Sequence, residues 1–171
     1  TYLGATANYG GYLVLGHDNA LGAAVSAVTY NGGSFSQILA SGVRNITRNF
    51  TNRATGSTQT LGGLDAGAKT FSGAITTTRA LNLTALIGGD TTFTGTISGA
   101  GGIAKVGSGN VILNPTVATG NSCTGPTIVN QGALIGEAKT GGSPFGVNSA
   151  FSVTNGILRL NNNSGAANTT V

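Results

Sequence analysis

Lys69-Thr-Phe-Ser-Gly-Ala-Ile75 and Thr91-Thr-Phe-Thr-Gly-Thr-Ile97 decide the reading of this chain. They lie 22 residues apart; Phe71 matches Phe93, Gly73 matches Gly95 and Ile75 matches Ile97. A unit of that length cannot bury a core by itself, so units must stack on one another. A longer repeat overlies the short one. Gly4-Ala-Thr6 with Gly11-Tyr-Leu13 returns as Gly125-Pro-Thr127 with Gly132-Ala-Leu134, at an offset of 121. Leu21-Gly22 with Thr29-Tyr-Asn-Gly32 returns as Phe145-Gly146 with Val153-Thr-Asn-Gly156, at an offset of 124. Residues 1–38 thus resemble 122–160, and 1–171 reads as a single solenoid domain.

Composition supports many short strands. Hydrophobic residues make up 39% of the 171, with no Trp and no Met. Charged residues are 7%, against roughly 25% in ordinary globular chains. Amphipathic helices need Lys and Glu on their wet face, and few are present. Thirty glycines fit tight turns, and three prolines exclude collagen and proline-rich linkers. The net charge of +4 reflects scarce carboxylates rather than a basic stripe: only Arg44, Arg48 and Arg53 cluster. Nucleic-acid binding is therefore not expected. No apolar run approaches the ~18 residues of a membrane span. Cys123 is the only cysteine, so no intrachain disulfide forms; it reads as a small packed hydrophobe, with an intermolecular bridge as the alternative.

Alternation marks strands at Tyr12–Leu15, Val25–Tyr30, Ser34–Leu39, Arg44–Asn52, Thr58–Leu61, Lys69–Ile75 and Ala80–Leu86. More follow at Thr91–Ile97, Gly102–Val106, Asn110–Leu113, Pro126–Val129, Ala133–Ile135, Phe151–Thr154 and Ile157–Leu160. Within Arg44–Asn52, Ile46, Arg48 and Phe50 share one face and Asn45, Thr47 and Asn49 the other. Asn31-Gly-Gly33, Gln131-Gly132 and Asn155-Gly156 supply corners. A short helix is allowed in Asn19–Val28 or Ser143–Ser149. The rung length predicts an all-β, parallel β-helix of roughly 7–9 rungs, stacked at about 4.8 Å. Neither end carries an obvious cap, so both terminal rungs leave unpaired edges. The residues expected to join one copy to the next are Thr1, Tyr2, Leu3, Tyr12, Leu13 and Leu15 at one end, with Ile157, Leu158, Leu160 and Val171 at the other.

Residues that carry chemistry are few. The acids are Asp18, Asp65, Asp90 and Glu137, and His17 is the only histidine. Asp65 and Asp90, one rung apart, could form a carboxylate pair, but both sit in glycine turns. No nucleophile elbow, zinc spacing or phosphate-binding loop occurs. Arg44, Arg48 and Arg53 could line a polysaccharide groove, yet no acids accompany them. No catalytic residue, metal or cofactor is expected.

Phe93-Thr-Gly-Thr-Ile-Ser-Gly-Ala-Gly-Gly-Ile-Ala-Lys-Val-Gly-Ser-Gly-Asn-Val-Ile-Leu-Asn114, followed after a loop by Cys123-Thr-Gly-Pro-Thr-Ile-Val-Asn-Gln-Gly-Ala-Leu-Ile135, resembles the autotransporter-associated β-strand repeat. Lys105 falls on that family's lysine, and Gly99, Gly102, Gly107 and Gly109 on its glycines. Tyr2-Leu-Gly-Ala-Thr6 with Gly11-Tyr-Leu13 is similar to the second half of the phrase, while 40–68 match poorly. The resemblance implies a right-handed parallel β-helix without catalytic residues, exported to a bacterial surface. The barrel of an autotransporter is not part of this sequence, so the secretion route stays open. The expected function is a structural subunit of an extracellular filament or surface layer, assembling head to tail with itself or with flanking repeats. The alternative is the stalk of an adhesin; contact with a surface glycan or cell stays open.

Overall fold

A computed structural model describes residues 2–23, 26–31, 35–53, 56, 58–147 and 149–162. It places β1 (Ala7–Asn8), β2 (Gly11–Leu15), β3 (Val28–Tyr30), β4 (Ser36–Ala40), β5 (Arg44–Ile46) and β6 (Phe50–Asn52) in the first part of the chain. β7 (Gln59–Gly63), β8 (Lys69–Phe71), β9 (Ile75–Thr77), β10 (Leu81–Thr84), β11 (Asp90–Phe93) and β12 (Ile97–Ser98) follow. The last are β13 (Ile103–Val106), β14 (Asn110–Leu113), β15 (Thr127–Val129), β16 (Ala133–Ala138), β17 (Phe151–Val153) and β18 (Ile157–Asn162). They build three sheets. Sheet A runs β1-β3-β6-β9-β12, sheet B runs β2-β4-β7-β10-β13-β15-β17, and sheet C runs β5-β8-β11-β14-β16-β18. Every pairing between these strands is parallel.

The chain is therefore a parallel β-solenoid, as the rung repeat predicts, but with about six turns rather than the 7–9 expected. Longer corners account for part of the difference. Register partners down sheet B, Gly11, Ser36, Gln59, Leu81, Ile103, Thr127 and Phe151, lie 25, 23, 22, 22, 24 and 24 residues apart. Only the central turns keep the minimal length. No helix forms among the described residues; 18–23 make turns instead. The Asn31-Gly-Gly33 corner lies mostly outside the described residues.

Sequence alternation reports burial correctly but hides the corners. Across 45–50, Ile46, Arg48 and Phe50 are buried while Asn45, Thr47 and Asn49 are exposed. Yet Arg44–Asn52 is two strands, β5 in sheet C and β6 in sheet A. Lys69–Ile75 and Thr91–Ile97 split in the same way. The outer face of each sheet meets water rather than a helix, so the strands alternate instead of being apolar throughout.

The repeat that decides the fold becomes vertical ladders. Phe71 pairs with Phe93 and Ile75 with Ile97. The Phe71 and Phe93 rings stack with centroids 5.1 Å apart, and Phe50 meets Phe71 edge-on at 5.9 Å. Aromatic pairs in such geometries add roughly 0.5–1.5 kcal/mol beyond their burial. Gly73 and Gly95 mark the corner between. A Cβ on Gly95 would lie 2.0 Å from the Gly73 carbonyl oxygen, and one on Gly73 2.0 Å from that of Arg48. Backbone rests on backbone there, and only glycine fits. Tyr30, also buried, donates its hydroxyl to the Thr60 carbonyl across the core at 2.7 Å.

Three buried cations tie the turns together. Lys69 Nζ lies 2.7 Å from Asp65 Oδ1 and donates to the carbonyls of Asp65, Ala66 and Gly67. Among the described residues Lys105 Nζ has no carboxylate partner; it donates to the carbonyls of Val106, Gly107 and Gln131 at 2.8, 2.6 and 3.0 Å. Both ammoniums collect carbonyls at the corner between sheets B and C. Arg48 donates to the carbonyls of Leu21, Gly22 and Ser26.

The long sequence repeat spans different faces in its two copies. β1 and β2 lie in sheets A and B, whereas β15 and β16, their counterparts by sequence, lie in sheets B and C.

Candidate assembly surfaces

The first turn lacks a strand in sheet C. Residues 16–23 and 26–27 pass beneath β5 instead, with Leu21 entering the core and held there by Arg48. Asp18 Oδ1 accepts the Asn45 N–H of edge strand β5 at 3.1 Å. This is a cap, contrary to the expectation of an uncapped end, and it closes one face of three. Sequence reading misses it because Leu21 and Arg48 are 27 residues apart. Among the described residues, β1 and β2 remain the open edges at this end.

Sheet A ends early at the other pole. After β12, the next turns cross this face as loops. Asn121 stands in for a strand: its Oδ1 accepts the Ile97 N–H at 2.7 Å, and its Nδ2 donates to the Pro144 carbonyl at 2.6 Å. Asn121 is buried, and its own N–H donates to the Ser143 carbonyl. Among the described residues, the open edges here are β17 in sheet B and β18 in sheet C.

The expected assembly residues divide accordingly. Tyr2, Leu3 and Tyr12 are exposed, Tyr12 by 68%. Tyr12 packs its ring edge-on against Phe35, with centroids 5.6 Å apart. Leu13 is half-buried against the core, and Leu15 is 1% exposed, so its side chain is not at the surface. Ile157 and Leu160 are exposed, Ile157 by 56%, while Leu158 is half-buried against the core. Thr1 and Val171 lie outside the described residues. Sequence reading missed Phe151 and Val153, both exposed on β17. They stand in register over Thr127 and Val129, which are buried, so they belong to the core ladders and are uncovered only because no rung follows. That parity was readable from the sequence.

Several of the residues singled out for chemistry are bonded within their own turn or to a neighbouring one. The Asp65 carboxylate accepts from Ser41 Oγ at 2.6 Å and from the Gly42 N–H at 2.9 Å, besides pairing with Lys69. The Lys69 side chain, with these bonds, holds its pKa down to about 2. Asp90 accepts from Asn110 Nδ2 at 2.9 Å. Neither is a free carboxylate facing the other. His17 Nδ1 accepts the Asn19 N–H in an exposed turn. Of the three arginines read as a cluster, Arg48 is buried, Arg44 bonds its neighbour's carbonyl at Val43, and Arg53 is exposed. Among the described residues no three of His, Cys, Asp and Glu gather, and no helix is long and apolar enough to cross a membrane. Cys123 is buried, and burial pushes its thiol pKa up. Burial also pushes the Lys105 ammonium down to about 8.

Comparison with protein-family models, with curated proteins and with solved structures finds no match.

Proposed function

We propose that this chain is a non-catalytic structural β-solenoid that assembles end to end, as a subunit of an extracellular filament or surface layer on a bacterium. One observation carries the reading: among the described residues, each end leaves two neighbouring strands with one edge open, with apolar side chains exposed beside them. Such edges recruit further strands through their free N–H and C=O groups. A head-to-tail contact does not close on itself and gives a filament. The bacterial and extracellular parts of the reading rest on the repeat phrase at 93–135 and on the charge-poor composition. Negative-stain microscopy of the purified chain tests the proposal. Filaments are expected, and they should vanish when Ile157→Lys places a charge on the edge. A chain that stays monomeric at every concentration refutes self-assembly.

A second reading keeps the same edges but gives them to flanking repeats, making the chain a stalk segment of an adhesin. The recurrence of one eight-residue spacing at 6–13, 127–134 and 151–158 favours repeats of this kind. A persistent monomer from a gene that continues into further rungs would select it.

A further inference from the structure

We propose that successive copies stack with a rotation of one face, about a third of a turn, so that β1 of one copy lies on β17 of the preceding copy and β2 lies on β18. This rests on the end-to-end reading above and specifies its partner and register.

The argument starts from which edges are open. At the leading end sheet C is closed by the segment containing Leu21, leaving sheets A and B. At the trailing end two loops, one containing Asn121 and the next containing Ser143, lie over sheet A, so the open strand edges among the described residues are those of sheets B and C. Unrotated stacking would match only sheet B: β2 would meet β17, while β1 and β18 would face loops. Turning the second copy by one face matches both strands at each end and leaves no edge over among the described strands.

Sequence and register agree with the rotated match. Thr6-Ala-Asn-Tyr-Gly-Gly-Tyr-Leu13 has the spacing of Thr127-Ile-Val-Asn-Gln-Gly-Ala-Leu134 and of Phe151-Ser-Val-Thr-Asn-Gly-Ile-Leu158. The last two already stack on each other within the chain, Val129 on Val153 and Leu134 on Leu158. Gly11, Gly132 and Gly156 occupy the same place in all three. Laying 6–13 of a second copy on 151–158 therefore repeats a contact the molecule already makes. Leu13 then covers Leu158. These are the two hydrophobic residues left only partly buried against the core, one at each end. Their stacking would extend the ladder Val111–Leu134–Leu158 into the next subunit.

The two registers predict different neighbours for Tyr12. Rotated stacking places it beside Ile157, the partner of Ala133. Unrotated stacking places it beside Ser152, because Gly11 then follows Phe151 down sheet B. Tyr12, Ile157 and Ser152 are all exposed, and buried Cys123 does not compete for oxidation. Neighbouring strands lie about 4.8 Å apart, within reach of a disulfide. Single variants Y12C, I157C and S152C are mixed in pairs and mildly oxidised. The Y12C and I157C mixture should yield covalent dimer at least tenfold faster than Y12C with S152C. Preferred linkage of Y12C to S152C overturns the rotation and leaves the filament standing. If neither pair links and the wild-type chain sediments as a monomer, the filament reading falls with it. If neither pair links while filaments form, the contact lies elsewhere and the proposed register is wrong.

Discussion

Replacing Gly95 by Ala tests the backbone-on-backbone corner directly. A Cβ at this position would lie 2.0 Å from the Gly73 oxygen, 2.5 Å from the Gly73 carbon and 2.9 Å from the Ser72 oxygen. No flexible side chain stands in the way that could swing aside; the obstacles are main chain of the rung below. Relief requires the two rungs to part by more than an ångström at the corner. That motion strains the Ile75 N–H to Thr96 carbonyl bond, 2.8 Å long, and the Thr94 N–H to Phe71 carbonyl bond, 2.9 Å long. Each lost bond costs about 1 kcal/mol net, and overpacking adds about 1–3 kcal/mol. The substitution should therefore destabilise by about 3–5 kcal/mol. For a chain of this size that lowers Tm by roughly 6–20 °C, readable in a thermal melt followed by circular dichroism. Gly16→Ala is the matched control. Nothing lies within 4 Å of a Cβ there and its φ is not left-handed, so its effect should stay within about 0.5 kcal/mol. A Gly95→Ala protein melting within a degree or two of wild type would refute the stacked corner.

Other expectations follow from the buried charges and from Asn121. Asp65→Asn removes the carboxylate facing the Lys69 ammonium, whose side chain is wholly buried; with Asp65 itself 39% exposed, the loss should be about 2 kcal/mol at neutral pH, measured by urea unfolding. Because the Asp65 pKa is depressed to about 2, its contribution is fully present above pH ~4 and lost as pH falls from there towards 2, so wild type and Asp65→Asn should converge in acid. Lys105 has the opposite sign. Its folded pKa of about 8 lies below the usual 10.5, so the unfolded chain holds more protons in that window and stability rises with pH between about 8 and 10.5. Lys105→Met should lack this rise, and melts at pH 7.5 and 10 of both proteins would show whether it does. Asn121→Ala leaves the buried Ile97 N–H and Pro144 carbonyl without partners and should cost about 2–4 kcal/mol in the same unfolding assay.

Much of the architecture was readable in the chain because stacked rungs must repeat. Phe71 over Phe93 and Ile75 over Ile97 announce both the axis and the register. The corners were not readable, because inward parity runs straight through them: Ile46, Arg48 and Phe50 alternate as one strand would, although the sheet changes between them. Extra corner residues, which lengthen some turns to between 23 and 25 residues, likewise leave the alternation of the strands intact. The buried lysines carried a signal that went unused. Lys69 shares its parity with inward Phe71, and Lys105 with inward Ile103. Their role as collectors of turn carbonyls follows from that parity together with the adjacent glycine turns. The leading cap was illegible. Leu21, Asp18 and Arg48 form it across more than one rung, and nothing in a local pattern distinguishes a plug from a turn. Of the expected assembly residues, Leu15 is buried in the core, and nothing in the local pattern of an edge strand shows that.

X-ray diffraction from aligned filaments of the purified chain tests the central claim most directly. Solenoids stacked end to end run their strands across the filament axis, so a reflection near 4.8 Å should fall on the meridian, with layer lines from a subunit rise of about 35 Å, seven strand spacings of sheet B and a fraction more. A 4.8 Å reflection on the equator, or filaments lacking it, would contradict end-to-end stacking of the rungs.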